Sequence, residues 1–110
     1  MIWLDAVPPL SPLNLKAKRS SEGVVLSWTR PLPVRDGEVP YGYVVYRVGK
    51  KEPADVNNPK NIVWIGFDSK ETSFTDHGYS KRGKYIYMVT ALDRLKNESA
   101  PSNKVSIRAK

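Results

Sequence analysis

Seven short runs rich in Val, Ile, Tyr and Thr, each closed by turn-forming residues, leave this chain little to build except sheets. They are LNLKAK (13–18), GVVLSWT (23–29), YGYVVYRV (41–48), NIVWIGF (61–67), TSFTD (72–76), KYIYMVTALD (84–93) and NKVSIRA (103–109). β-Branched and aromatic side chains suit the pleated surface of a strand, and no run sustains a helical period. Between the runs lie SSEG, the Asp-Gly of VRDG, FDSKE, HGYSKRG and the Asn-Glu-Ser of LKNESAPS, where Gly, Asn, Asp and Ser turn the chain. Most connections are short enough for adjacent antiparallel strands, and only the polar stretch from Gly49 to Asn61 is long. The expected fold is all-β, a seven-stranded sandwich of two antiparallel sheets.

Strand alternation assigns an inward face to Leu13, Leu15, Val24, Leu26, Trp28, Tyr43, Val45, Phe74, Tyr85, Tyr87, Val89, Ala91, Val105 and Ile107. The sixth run does not alternate cleanly. Its second face carries Ile86, Met88, Thr90 and Leu92, too apolar for a strand half exposed to water. Something either covers that face or binds to it.

At 110 residues the chain has the size of one domain, large enough for a core without a metal or disulfide, and it contains no cysteine for either a disulfide or a thiolate zinc site. No run approaches the roughly 18 apolar residues of a membrane span. The start, MIWLDAVPPL, lacks the basic end of a signal peptide. Prolines at 8, 9 and 12 make residues 1–12 read as an extended linker from a preceding domain, with the domain proper at 13–110.

Eighteen Lys and Arg against eleven Asp and Glu leave a formal net charge of +7. The charges are scattered, KRGK at 81–84 being the densest group, so solvated loops explain them more simply than a polyanion site. No specific nucleic-acid partner is expected.

The order of these pieces resembles a fibronectin type III domain over almost the whole chain. Pro9, Pro12 and Leu15 match the family's opening; Leu26-Ser27-Trp28 followed by Pro31 looks like its second strand, and Gly42-Tyr43-Val44-Val45-Tyr46-Arg47 like its third. Thr72-Ser73-Phe74-Thr75-Asp76 and the alternating Tyr85, Tyr87, Val89, Ala91 and Asp93 keep its rhythm, and Asn97-Glu98-Ser99 with Pro101-Ser102-Asn103 enters the last strand as in bacterial members. The resemblance implies an immunoglobulin-like sandwich. It implies that Tyr85 forms the tyrosine corner, bonding back to the backbone upstream, with Tyr79 as the apolar residue beneath that loop. It also implies that the third, fourth, sixth and seventh strands share a sheet whose outer face carries Val44, Tyr46, Ile86, Met88 and Leu92, with Trp64 on the edge. Trp3 and Leu4 could fold over part of that face.

The chemistry of an active site is missing from the pattern. The acids are dispersed over turns, and His77 is the only histidine. No phosphate loop, nucleophile elbow or calcium-loop spacing occurs, so catalysis by this domain alone and a bound cofactor or metal are not expected. Asn97-Glu98-Ser99 matches a glycosylation sequon by a pattern that arises often by chance, and Arg35-Asp36-Gly37 has the wrong order for integrin recognition.

Three uses remain. The first is an accessory, spacer or docking module of a larger secreted or cell-surface bacterial protein, such as the glycoside hydrolases that similar domains accompany. There the outer-face patch would pack on a neighbouring domain of the same polypeptide, and the isolated domain would be monomeric. The second is carbohydrate binding, with sugar rings stacked on Trp64, Tyr46 or Tyr41. The third is weak polyanion binding at a basic pole of Arg19, Lys50, Lys51, Lys81, Arg82 and Lys84. The resemblance favours the first, in an extracellular, cell-surface or periplasmic setting.

Overall fold

The computed structural model describes residues 9–32, 40–49, 59–77, 83–93 and 97–109. They form β1 (Leu13–Ser20), β2 (Gly23–Thr29), β3 (Gly42–Gly49), β4 (Ile62–Gly66), β5 (Ser73–Asp76), β6 (Gly83–Leu92) and β7 (Val105–Ala109), with one turn of 3-10 helix at Pro59–Asn61. The strands make two sheets, ordered β1-β2-β5 and β4-β3-β6-β7, and every pairing is antiparallel.

Between the sheets lie Leu15, Val24, Leu26, Trp28, Tyr43, Val45, Tyr87, Val89 and Ala91, all buried. Phe74, Tyr85, Val105 and Ile107 pack half-buried against them. Trp28 anchors this layer, meeting the ring of Tyr43 edge-on at 5.4 Å and lying 6.3 Å from Trp64. The Tyr43 hydroxyl leaves the apolar layer to donate to the Ser69 carbonyl at 2.8 Å.

Two bulges correct the expected faces. In β1 the pairing slips between Leu13 and Lys16, and Asn14 takes a left-handed φ of 57°, a conformation Asn tolerates better than most side chains. The extra residue keeps Leu15 inside but leaves Leu13 exposed, contrary to strict alternation. In β4 the register slips between the partners of Val45 and Tyr46, so Ile62 faces Tyr46 while Trp64 faces Val45. Without that slip Ile62 and Trp64 would share a face. Trp64 therefore turns inward and stacks on Phe74 of the opposite sheet, with centroids 5.1 Å apart and planes 19° from parallel. Gly66 makes room for it, since a β-carbon there would strike the indole.

The Trp64–Phe74 stack closes one open side of the sandwich. The other side is closed by a side chain imitating a backbone. The Asn103 carboxamide accepts from the Leu15 N–H at 2.9 Å and donates to the Leu15 carbonyl at 3.1 Å, tying the approach to β7 onto β1. Pro9 and Pro12 are buried, and the Ser11 hydroxyl donates to the Ala100 carbonyl at 2.8 Å, so residues 9–12 run along the domain.

Serines continue the β6–β7 ladder ahead of the start of β7. The Ser102 N–H donates to the Val89 carbonyl and its hydroxyl accepts from the Val89 N–H, at 2.8 and 3.0 Å. Ser99 repeats this with Ala91, at 2.8 and 2.9 Å. Each hydroxyl stands where a partner strand's carbonyl would be. Ser102→Ala should therefore strand a buried N–H and lower unfolding stability by about 1 to 3 kcal/mol, whereas exposed Ser106→Ala should stay within about 0.5 kcal/mol. Equal denaturant midpoints for the two variants would refute this role.

Candidate functional site

The outer face of the four-stranded sheet, expected to be an exposed patch, is buried. Val44, Tyr46, Met88 and Leu92 form a second apolar cluster, each less than a tenth exposed, with Ile62 packed against them. Ile86 is half-buried. Trp64, expected on this surface, belongs to the inner layer. The physical reason lies partly in Glu98, which pairs with Leu92 in an isolated bridge. Its carboxylate accepts hydrogen bonds from the Tyr46 hydroxyl and, at 2.6 Å, from the Thr90 hydroxyl, drawing the segment before β7 across the face.

This also decides the sequon. The Asn97 carboxamide donates to the Asp93 carboxylate at 3.0 Å, the Asn97 N–H donates to it at 2.8 Å, and Ser99 is buried in its ladder role. Asn97-Glu98-Ser99 is a structural clasp in which all three residues are engaged.

At the opposite end of the molecule a polar clamp joins the two sheets. Arg47 of β3 and Tyr87 of β6 are cross-strand partners, and both reach Asp76 of β5. The Arg47 guanidinium meets Asp76 Oδ2 at 2.7 Å, and the Tyr87 hydroxyl donates to the same oxygen at 2.6 Å. Asp76 is only 3% exposed, so the charge is tolerated because it is paired and hydrogen-bonded. Arg47 also lies over the ring of half-buried Tyr85, 5.5 Å from its centroid. Tyr87 thus ties the sixth strand to β5, and its acceptor is a carboxylate.

Burial pushes the phenol of Tyr43 from its ordinary value of 10.0 up to about 12. Burial likewise raises Tyr46 and Tyr87, with further upward contributions from hydrogen bonds to Glu98 and Asp76.

Of the expected basic pole, Arg19 and Lys84 fall at the same end by strand register, near the end of β1 and the start of β6. Arg19 is exposed and Lys84 is half-buried opposite Arg108. Lys50, Lys51, Lys81 and Arg82 lie outside the described residues, as do Tyr79, Trp3, Leu4 and Arg35-Asp36-Gly37. His77 is exposed and its Nδ1 meets the carbonyl of Glu22, in the turn between β1 and β2, at 2.5 Å. Among the described residues no three His, Cys, Asp or Glu gather into a metal site.

Sequence reasoning missed Asp76, Arg47 and Glu98. One signal was available: Arg47 sits at an inward position of its run, and a charge facing a core demands a partner. It also missed the exposed apolar side chains Leu10, Leu32 and Phe67, which lie beyond strand ends where alternation carries no information, and Ile65 within β4.

The comparisons agree on the architecture. An Fn3-like protein from Clostridium thermocellum superposes with a TM-score of 0.68, covering 91% of this chain and 92% of that one at 22% identity. The fold is that of a fibronectin type III domain. A β-1,2-glucanase from Parabacteroides distasonis contains a similar region, with a TM-score of 0.68, 24% identity and coverage of 94% of this chain but 14% of that one. In sequence, the chain is 30% identical over 108 residues to "Glycosyl hydrolase YngK" of Bacillus subtilis (strain 168), and 30% identical over 99 residues to an amylopullulanase of Thermoanaerobacterium thermosulfurigenes. These matches take in 96% and 90% of this chain but only 20% and 5% of the relatives. No protein-family model matches the chain.

Two outcomes test the clamp and the buried phenols. Tyr87→Phe should cost about 1.5 to 3 kcal/mol, the range for a bond to a charged group; a loss below about 0.5 kcal/mol in thermal unfolding would contradict the clamp. The second outcome concerns alkali. A raised folded pKa means that the unfolded chain releases its phenolic proton first, so stability from Tyr43, Tyr46 and Tyr87 is intact below pH 10 and lost as pH rises through 10 towards 12. Their tyrosinate absorbance should appear together with unfolding; ionisation of all tyrosines in a still-folded chain would contradict the burial.

Proposed function

We propose that this chain is a non-catalytic accessory domain of a larger secreted or cell-surface bacterial glycoside hydrolase, serving as a spacer that holds or abuts a neighbouring domain. The observation carrying this reading is one of proportion. Nearly all of this chain matches relatives named for carbohydrate hydrolysis, yet the match takes in a fifth of one and a twentieth of the other. Such a fraction is what an appended domain contributes, while the remaining length is available for the catalytic machinery.

The internal chemistry supports the same reading. The buried carboxylate of Asp76 is held by Arg47 and Tyr87, and the half-buried carboxylate of Glu98 by Tyr46 and Thr90. They face different sides of the four-stranded sheet, so they form no pair across a cleft of the kind glycoside hydrolysis requires. The carbohydrate-binding alternative is less well supported. Tyr46 is buried and Trp64 is stacked on Phe74, while exposed Tyr41 is tilted 52° from its neighbour Phe67, so the pair offers no single flat platform to a sugar ring.

Deleting the domain from its full-length enzyme tests the proposal. The expected result is a kcat/KM on a small soluble glycoside that stays within about twofold, accompanied by a lower melting temperature for the remainder. Hydrolysis by the isolated chain, or a loss of about a hundredfold in kcat/KM while the remainder stays folded, would overturn the non-catalytic reading.

A further inference from the structure

Six large apolar side chains are exposed among the described residues: Leu10, Leu13, Leu32, Tyr41, Ile65 and Phe67. Their distribution is one-sided. Leu13 pairs with Thr29, the last residue of β2, and Leu32 follows three residues later. The Tyr41 N–H donates to the carbonyl of Leu92, the last residue of β6, at 2.6 Å, and Phe67 directly follows the end of β4. The rings of Tyr41 and Phe67 lie 5.9 Å apart. Leu10 lies just upstream of β1 on the same approach. Five of the six therefore collect at the end where β2, β4 and β6 finish, with Ile65 one step along β4. Arg30 and Asp68, both exposed, supply polar neighbours there. The other end carries exposed Arg19 and His77 beside the Arg47–Asp76 clamp.

We propose that the apolar end is a docking surface for the domain that precedes this one in the same polypeptide. The proposal rests on the accessory-domain reading above. The occupant follows from how the chain enters. Residues 9–12 run into β1 at this end, fixed by buried Pro9 and Pro12 and by the Ser11–Ala100 bond. A preceding domain would thus be tethered beside the exposed Leu, Tyr and Phe side chains. A tether raises the effective concentration of its domain to the millimolar range, so a patch of a few apolar groups suffices. A second copy of the chain has no such tether and would need an interface of roughly 1,200 Å² or more in total. The relatives supply the remaining argument: four-fifths or more of each lies outside the region this chain matches.

The test uses the full-length polypeptide. A photo-reactive benzophenone side chain is placed at position 67 and, in a separate variant, at position 19 on the opposite end. Irradiation at position 67 should give intramolecular cross-links to the preceding domain at least about tenfold more often than at position 19, and Leu32→Asp with Tyr41→Asp should reduce that yield. Equal yields from both positions, with the preceding domain folded, would overturn the docking surface while leaving the accessory reading intact. Cross-links between two copies, or cross-linking suppressed by added polysaccharide, would assign the surface to another occupant and also overturn it. A polypeptide with no other domain would overturn the accessory reading itself.

Discussion

The structure depends on strands β3 and β6 being buried on both faces. Register pairs the whole of β3 with β6, Gly42 with Leu92 through to Gly49 with Tyr85, so they share both environments. Every residue from Tyr87 to Leu92 is buried. Such strands cannot depend on solvent to satisfy their polar groups, and antiparallel sheets usually leave one face wet. Here the segment before β7 resolves the conflict. Ser99 and Ser102 meet the backbone of Ala91 and Val89, while Glu98 meets the hydroxyls of Tyr46 and Thr90 on the outer face. An irregular segment thereby does the work of both an adjoining strand and a covering layer.

The clamp at the other end solves a related problem. Among the described residues the two sheets have no hydrogen-bonded strand pairing between them, and apolar packing alone is tolerant of sliding. Asp76, projecting from the three-stranded sheet, accepts from Arg47 and Tyr87 of the four-stranded sheet, and its buried charge makes a displaced arrangement costly. Together with the Asn103 carboxamide on Leu15 and the Trp64–Phe74 stack, these contacts fix relative position as well as stability.

Much of this was legible in the sequence. Strand number, the two antiparallel sheets and most of the inner face follow from alternation and turn chemistry, and Trp28, Tyr43, Val45, Tyr87 and Val89 are where period-two reasoning puts them. What escaped has physical causes. A single inserted residue inverts the face of everything beyond it, and neither bulge, at Asn14 nor near Val63, has a composition that announces it; hence Leu13 turned outward and Trp64 inward. The clamp escaped because Asp76 and its partners Arg47 and Tyr87 lie on three strands that only the packed sandwich brings together. The outer face failed for a different reason. Apolar residues on two faces were read as needing either cover or a binding partner, and the cover sits in an Asn-Glu-Ser tripeptide whose polar composition suggests a loop and whose pattern suggests a glycan site.

That correction changes where contacts can form. Once Val44, Tyr46, Met88 and Leu92 are buried within the domain itself, the broad face of the four-stranded sheet no longer offers them to a partner. Large apolar groups that remain in water are concentrated at strand ends, where neither the ladder nor either core layer constrains the side chain. Selection for folding alone does not demand Leu32 or Phe67 at those positions, since exposed turn residues are ordinarily polar. In this fold, then, the sheets keep their apolar surface to themselves, and the large apolar side chains left in water gather at the end where β2, β4 and β6 finish.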